Sequence, residues 1–164
     1  MSEGTDSSTM RQVLGHFPSG VTIVTGTTPD GPAGFTCQSF SSLSLEPPLV
    51  LVLPGRSSSS WPKIEATGRF VVNVLSEEQE ELSTTFAVSG GDKFAGVEWS
   101  YSGLGSPILG GATAWIDCTL HAVHDGGDHH IVVGAEHDLG APGSPPLVFH
   151  RGGYARTSPA GAGG

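Results

Sequence analysis

Cysteine, basic residues and long apolar runs are scarce in this chain, and each shortage removes a class of protein. Cys37 and Cys118 are the only cysteines in 164 residues, and neither belongs to a CxxC pair or a spaced Cys/His metal set. Both read as reduced, packed thiols. Seven Lys and Arg stand against sixteen Asp and Glu, a formal net charge of −9, and a field of that sign repels nucleic-acid backbones and anionic lipid surfaces. A bound nucleotide stays compatible with it, because backbone N–H groups and hydroxyls hold phosphate locally. No apolar run nears the length that spans a bilayer, and no basic segment followed by an apolar one opens the sequence. The expectation is a soluble, cytoplasmic protein that binds neither nucleic acid nor membrane. No GxGxxG lies between a strand and a helix, which excludes a Rossmann site on its own signature.

What is present fits one domain over 10–156, between a polar, disordered leader at 1–9 and a loose tail at 157–164. Met10, Val13, Leu14 and Phe17 recur at helical spacing after a cap at Asp6 or Ser8, predicting a short helix to about His16. Val21–Thr25 is a strand, and Pro29-Asp30-Gly31 turns it back as a hairpin onto the stretch from Gly34 to Pro48. Leu49–Leu53 suits a strand buried on both faces, Trp61–Gly68 a short helix, and Phe70–Leu75 another strand. Ser76-Glu77-Glu78-Gln79 has capping-box spacing and opens a helix through about Phe86, whose glutamates read as a solvated face. Residues 113–122 alternate as a half-buried strand with Asp117 on the polar side. They pair with Ile131–Ala135 in a hairpin that carries Asp128 and His129 near its tip; Leu147–Phe149 and Tyr154 complete the strands. Strands in series with few short helices argue for an antiparallel barrel.

Four stretches carry polar groups that invite chemistry. From Gly34 to Pro48, period-two alternation sets Phe35, Cys37 and Ser39 on one side and Thr36, Gln38 and Ser42 on the other. Its hydroxyls, amide and backbone donors fit the polar edge of a planar heteroaromatic ligand, and equally an ordinary hydrophilic strand end. Ser57–Ser60 before a helix, with Arg56 alongside, read as a phosphate loop or as a flexible connection. Lys93, one of two lysines, is a candidate anion contact. His129 in a Gly-Gly-Asp-His turn is a positioned donor, and Asp128 sets its tautomer or simply holds the turn. The five histidines between His121 and His137 do not prefigure a metal: His121 and His124 fall on opposite faces of a strand, and no nearby carboxylate completes a set.

Phe17–Thr25, Gly34–Pro48, Phe70–Leu75, Asp92-Lys93-Phe94 and Gly127-Asp128-His129 together, in this order, resemble the flavin reductase component of two-component flavin-dependent monooxygenases. The resemblance covers about residues 10–156. It implies an FMN-binding split barrel, mostly β with short helices: a six-stranded antiparallel Greek-key barrel, working as a homodimer with flavin near the subunit interface. Thr36, Cys37, Gln38 and Ser39 would then lie along the isoalloxazine edge with Ser42 and Ser44 nearby, and Ser58 and Ser60 would hold the flavin phosphate. Asp128 and His129 match a motif associated with NADH or NADPH, His129 positioning the nicotinamide. Cys37-Gln38 and the run of four serines depart from the pattern of the relatives.

The implied activity is reduction of FMN or FAD by NADH or NADPH, with reduced flavin passed to a partner monooxygenase. The cofactors carry that chemistry, so no side-chain nucleophile or metal is called for. Two other functions share the likeness: a flavin- or haem-binding carrier or sensor without turnover, and an oxidase or oxygenase that keeps its flavin and acts directly on a small molecule.

Overall fold

The structure, a computed structural model, describes residues 4–161. A helix α1 (Ser7–Leu14) leads into β1 (Ser19–Gly20), β2 (Thr22–Thr28), β3 (Gly31–Cys37), β4 (Phe40–Leu45) and β5 (Pro48–Val52). Helix α2 (Trp61–Glu65), strand β6 (Arg69–Val74), a single 3-10 turn (Glu77–Gln79) and α3 (Glu80–Ala87) follow. Then come β7 (Trp99–Tyr101), β8 (Pro107–Leu109), the long hairpin β9 (Ala114–Gly126) and β10 (His129–Gly140), and finally β11 (Leu147–His150) and β12 (Gly153–Arg156). No described helix is long and apolar enough to cross a membrane.

Every recorded strand pairing is antiparallel. The main sheet runs β3-β2-β6-β9-β10-β5-β4, with smaller sheets β1-β11-β12 and β7-β8 beside it. Seven strands therefore stand where six were expected. The reason lies in the stretch from Gly34 to Pro48, which is not one strand: it breaks at Gln38 and Ser39, and its halves sit at opposite edges of the sheet. Leu53 N–H donates to the Ser39 carbonyl across that break (3.2 Å), so the end of β5 meets the end of β3.

The hydrophobic interior falls into two clusters. Val24, Phe35, Cys37, Val52, Ile64, Phe70, Val72, Cys118 and Val132 surround Trp61, whose ring meets Phe35 and Phe70 edge-on at centroid distances of 6.3 and 5.9 Å. Val21, Ile23, Leu75, Phe86, Leu109 and Leu147 form the second. Gly134 lets β10 lie close against the first cluster, since a Cβ there would lie 2.7 Å from the Phe70 ring.

Several local expectations hold. Thr28–Gly31 turns β2 onto β3, with Gly31 at φ +110°. The Gln79 side chain accepts the Ser76 N–H at 2.9 Å, closing the capping box, although the first turn is 3-10. Both cysteines are free and buried.

Other expectations fail for reasons of tertiary context. Ser7–Thr9, assigned to a disordered leader, belong to α1, while residues 1–3 and 162–164 lie outside the described part. The apolar side of α1 packs on nothing: Met10, Val13, Leu14 and Phe17 are all exposed. In strand β5 only Val52 is buried, Leu49, Val50 and Leu51 being half-buried and Pro48 exposed, so the strand is not covered on both faces. Asp117 is fully buried, because the 102–106 turn folds over it and its Oδ2 accepts the Leu104 N–H at 3.1 Å. The short strands β7 and β8 give too little periodicity to be read from sequence.

Candidate functional site

A trough opens where the ends of β3 and β5 meet the tip of the β9–β10 hairpin. Its first cavity, about 290 Å3, is lined by Phe35, Thr36, Cys37, Gln38, Ser39, Leu53, Pro54, Gly55, Ala87 and His129. A second of about 200 Å3 adjoins it through Phe35, Thr36, Gly55 and Ala87, and adds Ser57, Ser58, Ser59, Ser60 and Lys93. Thus Thr36, Cys37, Gln38, Ser39 and His129 gather at one end, and Ser58, Ser60 and Lys93 at the other. Ser42 and Ser44 line neither cavity; they sit on β4, paired with β5. A larger cavity of about 720 Å3, between the β7–β8 ribbon and Trp115, is rimmed by Glu78 and Glu98 and so repels phosphate.

The ledge side chains are not all free. Thr36 Oγ1 donates to the Ser83 carbonyl on α3 (2.6 Å), leaving only acceptor capacity toward the trough. The Cys37 thiol belongs to the buried core, and burial pushes its pKa up, so it stays protonated. Gln38 and Ser39 are exposed at the strand break, and β3 is an edge strand whose outer backbone groups meet no neighbouring strand.

The serine loop owes less to a helix terminus than its sequence suggests. Helix α2 is five residues long, and the Ser58 Oγ accepts the Trp61 N–H at 3.1 Å, fixing the loop. Lys93 supplies the cation: its Nζ donates to the carbonyls of Gly34 (3.1 Å) and Phe86 (3.2 Å), which hold it over the loop with one N–H to spare. Desolvation lowers its pKa. Arg56, by contrast, turns away from the trough. Its Nε donates to the Gly127 carbonyl at 2.7 Å, and its guanidinium pairs with Asp125.

These contacts tie the serine loop to the hairpin tip. Arg56 N–H donates to the Asp128 carbonyl (2.9 Å) and His130 N–H to the Pro54 carbonyl (2.9 Å). Gly127 takes the left-handed φ of +76° that the tight turn demands. His129 Nδ1 lies 2.7 Å from Asp128 Oδ1, which orients the ring and, through that hydrogen bond first and the charge second, holds the Asp128 carboxyl below its ordinary pKa. The Nε2 is thereby left toward the trough.

A flavin and a nicotinamide fit this donor set. The trough is floored by Gly55: a Cβ there would stand 3.7 Å from His129 Nε2 and 3.8 Å from Ser57 Oγ, in the space between the two ends. Hydroxyls and a lysine at one end suit a phosphate; an imidazole, an amide and free backbone groups at the other suit heteroaromatic rings.

Comparison with known proteins agrees with the geometry. Residues 14–158 match the flavin reductase like domain family. The chain belongs to this family. Among flavin reductase like proteins, it is 52% identical over 162 residues to the reductase subunit HsaB of a flavin-dependent monooxygenase from Mycobacterium tuberculosis, covering 97% of this chain and 87% of that one. It superposes on nitrilotriacetate monooxygenase component B from Mycobacterium thermoresistibile with a TM-score of 0.92 at 50% identity, over 99% and 93% of the two chains. The NADH:FAD oxidoreductase SgcE6 of Streptomyces globisporus C-1027, solved in complex with NAD and FAD fragments, matches with a TM-score of 0.90 at 34% identity over 98% of both chains.

Sequence reasoning missed Arg56 as the tie between loop and hairpin, and Gly55 as the floor. Its neighbour Ser57 was the available signal: in Gly-Arg-Ser the glycine marks a close approach and the arginine a charge with some partner to find.

Proposed function

We propose that this chain is an NAD(P)H:flavin oxidoreductase that reduces FMN or FAD and supplies the reduced flavin to a partner monooxygenase. The observation that carries the reading is the trough itself, whose two adjoining cavities have the His129 imidazole at one end and the serine hydroxyls with Lys93 at the other. The bound cofactors supply the chemistry, a hydride passing from the dihydronicotinamide to the flavin with one proton taken from solvent.

The protein's residues bind and orient. Ser58, Ser60 and Lys93 hold the flavin phosphate, and Gln38, Ser39 and the backbone of Thr36 and Cys37 meet the polar edge of its ring. His129, steered by Asp128, fixes the nicotinamide; holding two rings face to face replaces a bimolecular encounter by an oriented one. Openness to solvent suits a flavin that leaves after reduction.

The main sheet works as a Greek-key split barrel. Support comes from β3 and β5, which lie far apart in strand order yet border one cavity, as rolling of the sheet requires. A homodimer completes it: Leu43 and Leu45 on the edge strand β4 and the bare apolar side of α1 are surfaces that a second copy would cover. The site of action is the cytoplasm, where NADH, flavin and oxygenase are found together.

The test is to mix purified protein with NADH and FMN, or FAD, and follow the nicotinamide absorbance. Rapid multiple turnover with free flavin is the expected result. A coloured protein that leaves NADH untouched would make it a carrier; a retained flavin that oxidises a small molecule directly would make it an oxidase.

A further inference from the structure

The trough does not stop at the serines. Ser59, Ser60 and Lys93 also border a third cavity of about 170 Å3, closed on its far side by Lys63 from α2 and by Gly90, Gly91 and Asp92. The chain has two lysines and a net charge of −9; both lysines line this one space. Among the described residues neither is in an ion pair, the three pairs present being made by Arg56, His129 and Arg156. Asp92, the only carboxylate in the lining, is engaged as acceptor of the Phe94 N–H at 3.2 Å. Two ammonium groups against this one carboxylate leave the lining net positive, a charge that a phosphoryl group would balance.

The order of the three cavities matters. Ring-binding groups come first, then Ser57–Ser60, then the lysine pair, with Lys93 shared by the last two. FMN ends at its single phosphate, whereas in FAD a second phosphoryl group follows directly, joined through one bridging oxygen. We propose that the third cavity receives the second phosphoryl group of FAD, with Lys63 as the residue that distinguishes FAD from FMN. This rests on reading the trough as the flavin site. The 2′-phosphate of NADPH offers the same chemistry, but the nicotinamide end of the trough, at His129, lies on the other side of the serine loop.

The experiment is fluorescence titration of riboflavin, FMN and FAD into the full-length wild-type protein, Lys63→Gln and Lys63→Arg, with KM for NADH and NADPH measured alongside. Lys63 is exposed, so both variants retain the fold, which a melting curve checks. Wild-type protein should bind FAD about 5-fold or more tightly than FMN, the size of one solvent-accessible charged contact. Lys63→Gln should bring the FAD-to-FMN affinity ratio close to one, and Lys63→Arg should preserve it. Equal wild-type affinities, or equal losses for FMN and FAD in Lys63→Gln, would overturn the second-phosphate site while leaving the flavin reading intact. A changed NADPH-to-NADH KM ratio with an unmoved FAD-to-FMN ratio would transfer the lysine to the 2′-phosphate and overturn it too. Failure of all three flavins to bind wild-type protein would instead remove the flavin reading on which the site depends.

Discussion

Arg56 Nε donates to the carbonyl of Gly127 at 2.7 Å, joining residues 71 positions apart. With the pairing of its guanidinium to Asp125, this single side chain pins the serine loop to the hairpin that carries His129. It adds a side-chain fastening to the backbone hydrogen bonds from Arg56 N–H to Asp128 and from His130 N–H to Pro54 that already join the two ends of the trough.

Replacing Arg56 should disturb both substrates together. The ion pair is exposed and contributes about 0–1 kcal/mol to stability, so Arg56→Ala should leave the melting temperature nearly unchanged. Loosening the loop against the hairpin should nonetheless lower kcat/KM for both NADH and flavin about 10-fold. Arg56→Lys should not rescue, because one ammonium cannot span an acceptor pair that the planar guanidinium reaches at once. Steady-state kinetics with each substrate varied in turn checks this; rescue by lysine would show that charge alone matters.

His129→Ala should act on one substrate. The imidazole faces the ring end and Asp128 orients it, so its loss should raise the apparent KM for NADH about 5- to 10-fold, equivalent to about 1–1.5 kcal/mol for one hydrogen bond. Flavin affinity, read by fluorescence titration, should move less. An unchanged KM for NADH would release His129 from its role.

Ser58→Ala with Ser60→Ala should weaken FMN more than riboflavin, which lacks the phosphate. Ser58 also accepts the Trp61 N–H, so the double variant should lose about 1 kcal/mol of stability on that account. Comparing the two ligands on the same protein removes the stability effect. Equal losses for FMN and riboflavin would place the phosphate elsewhere.

The thiols provide a pH test of the core. Burial first, then the Asp117 and Glu136 charges, pushes the Cys118 pKa up to about 12 from an ordinary 9.0. In the unfolded chain the thiol ionises near its ordinary value, while the folded chain keeps it neutral. Its contribution is therefore whole below pH 9 and fades as the pH rises from there toward 12. Urea unfolding across that window should show a steeper fall for wild type than for Cys118→Ala. Neither Cys37 nor Cys118 should react with a thiol reagent at neutral pH until denaturant is added.

How much could be read beforehand depended on how local each feature is. The Pro29-Asp30-Gly31 turn, the Ser76 capping box and the Gly127-Asp128-His129 tip were legible because each is closed by residues a few positions apart. The ledge was legible as polar but not as broken. Its alternation runs on through Gln38 and Ser39 without interruption, and only the pairing of β4 with β5 rather than with β2 separates Ser42 and Ser44 from the trough. Asp117 shows the same limit: period two placed it outward, and the turn at 102–106, legible as a turn from its glycines and Pro107, gave no sign that it folds over this carboxylate.

By itself, the order of residues determined an antiparallel, strand-rich chain with the hydroxyl run, the Asp-His tip and the two buried thiols at known places along it, since hydrogen-bonding periodicity and turn chemistry act over a few residues. Tertiary structure alone decided that Arg56 faces the hairpin rather than a phosphate, that Lys63 and Lys93 border one cavity, and that Gly55 lies beside both His129 and Ser57. Those relations join residues dozens of positions apart. They arise only when the sheet assembles in the order β3-β2-β6-β9-β10-β5-β4, which depends on pairings between distant strands that no local pattern encodes.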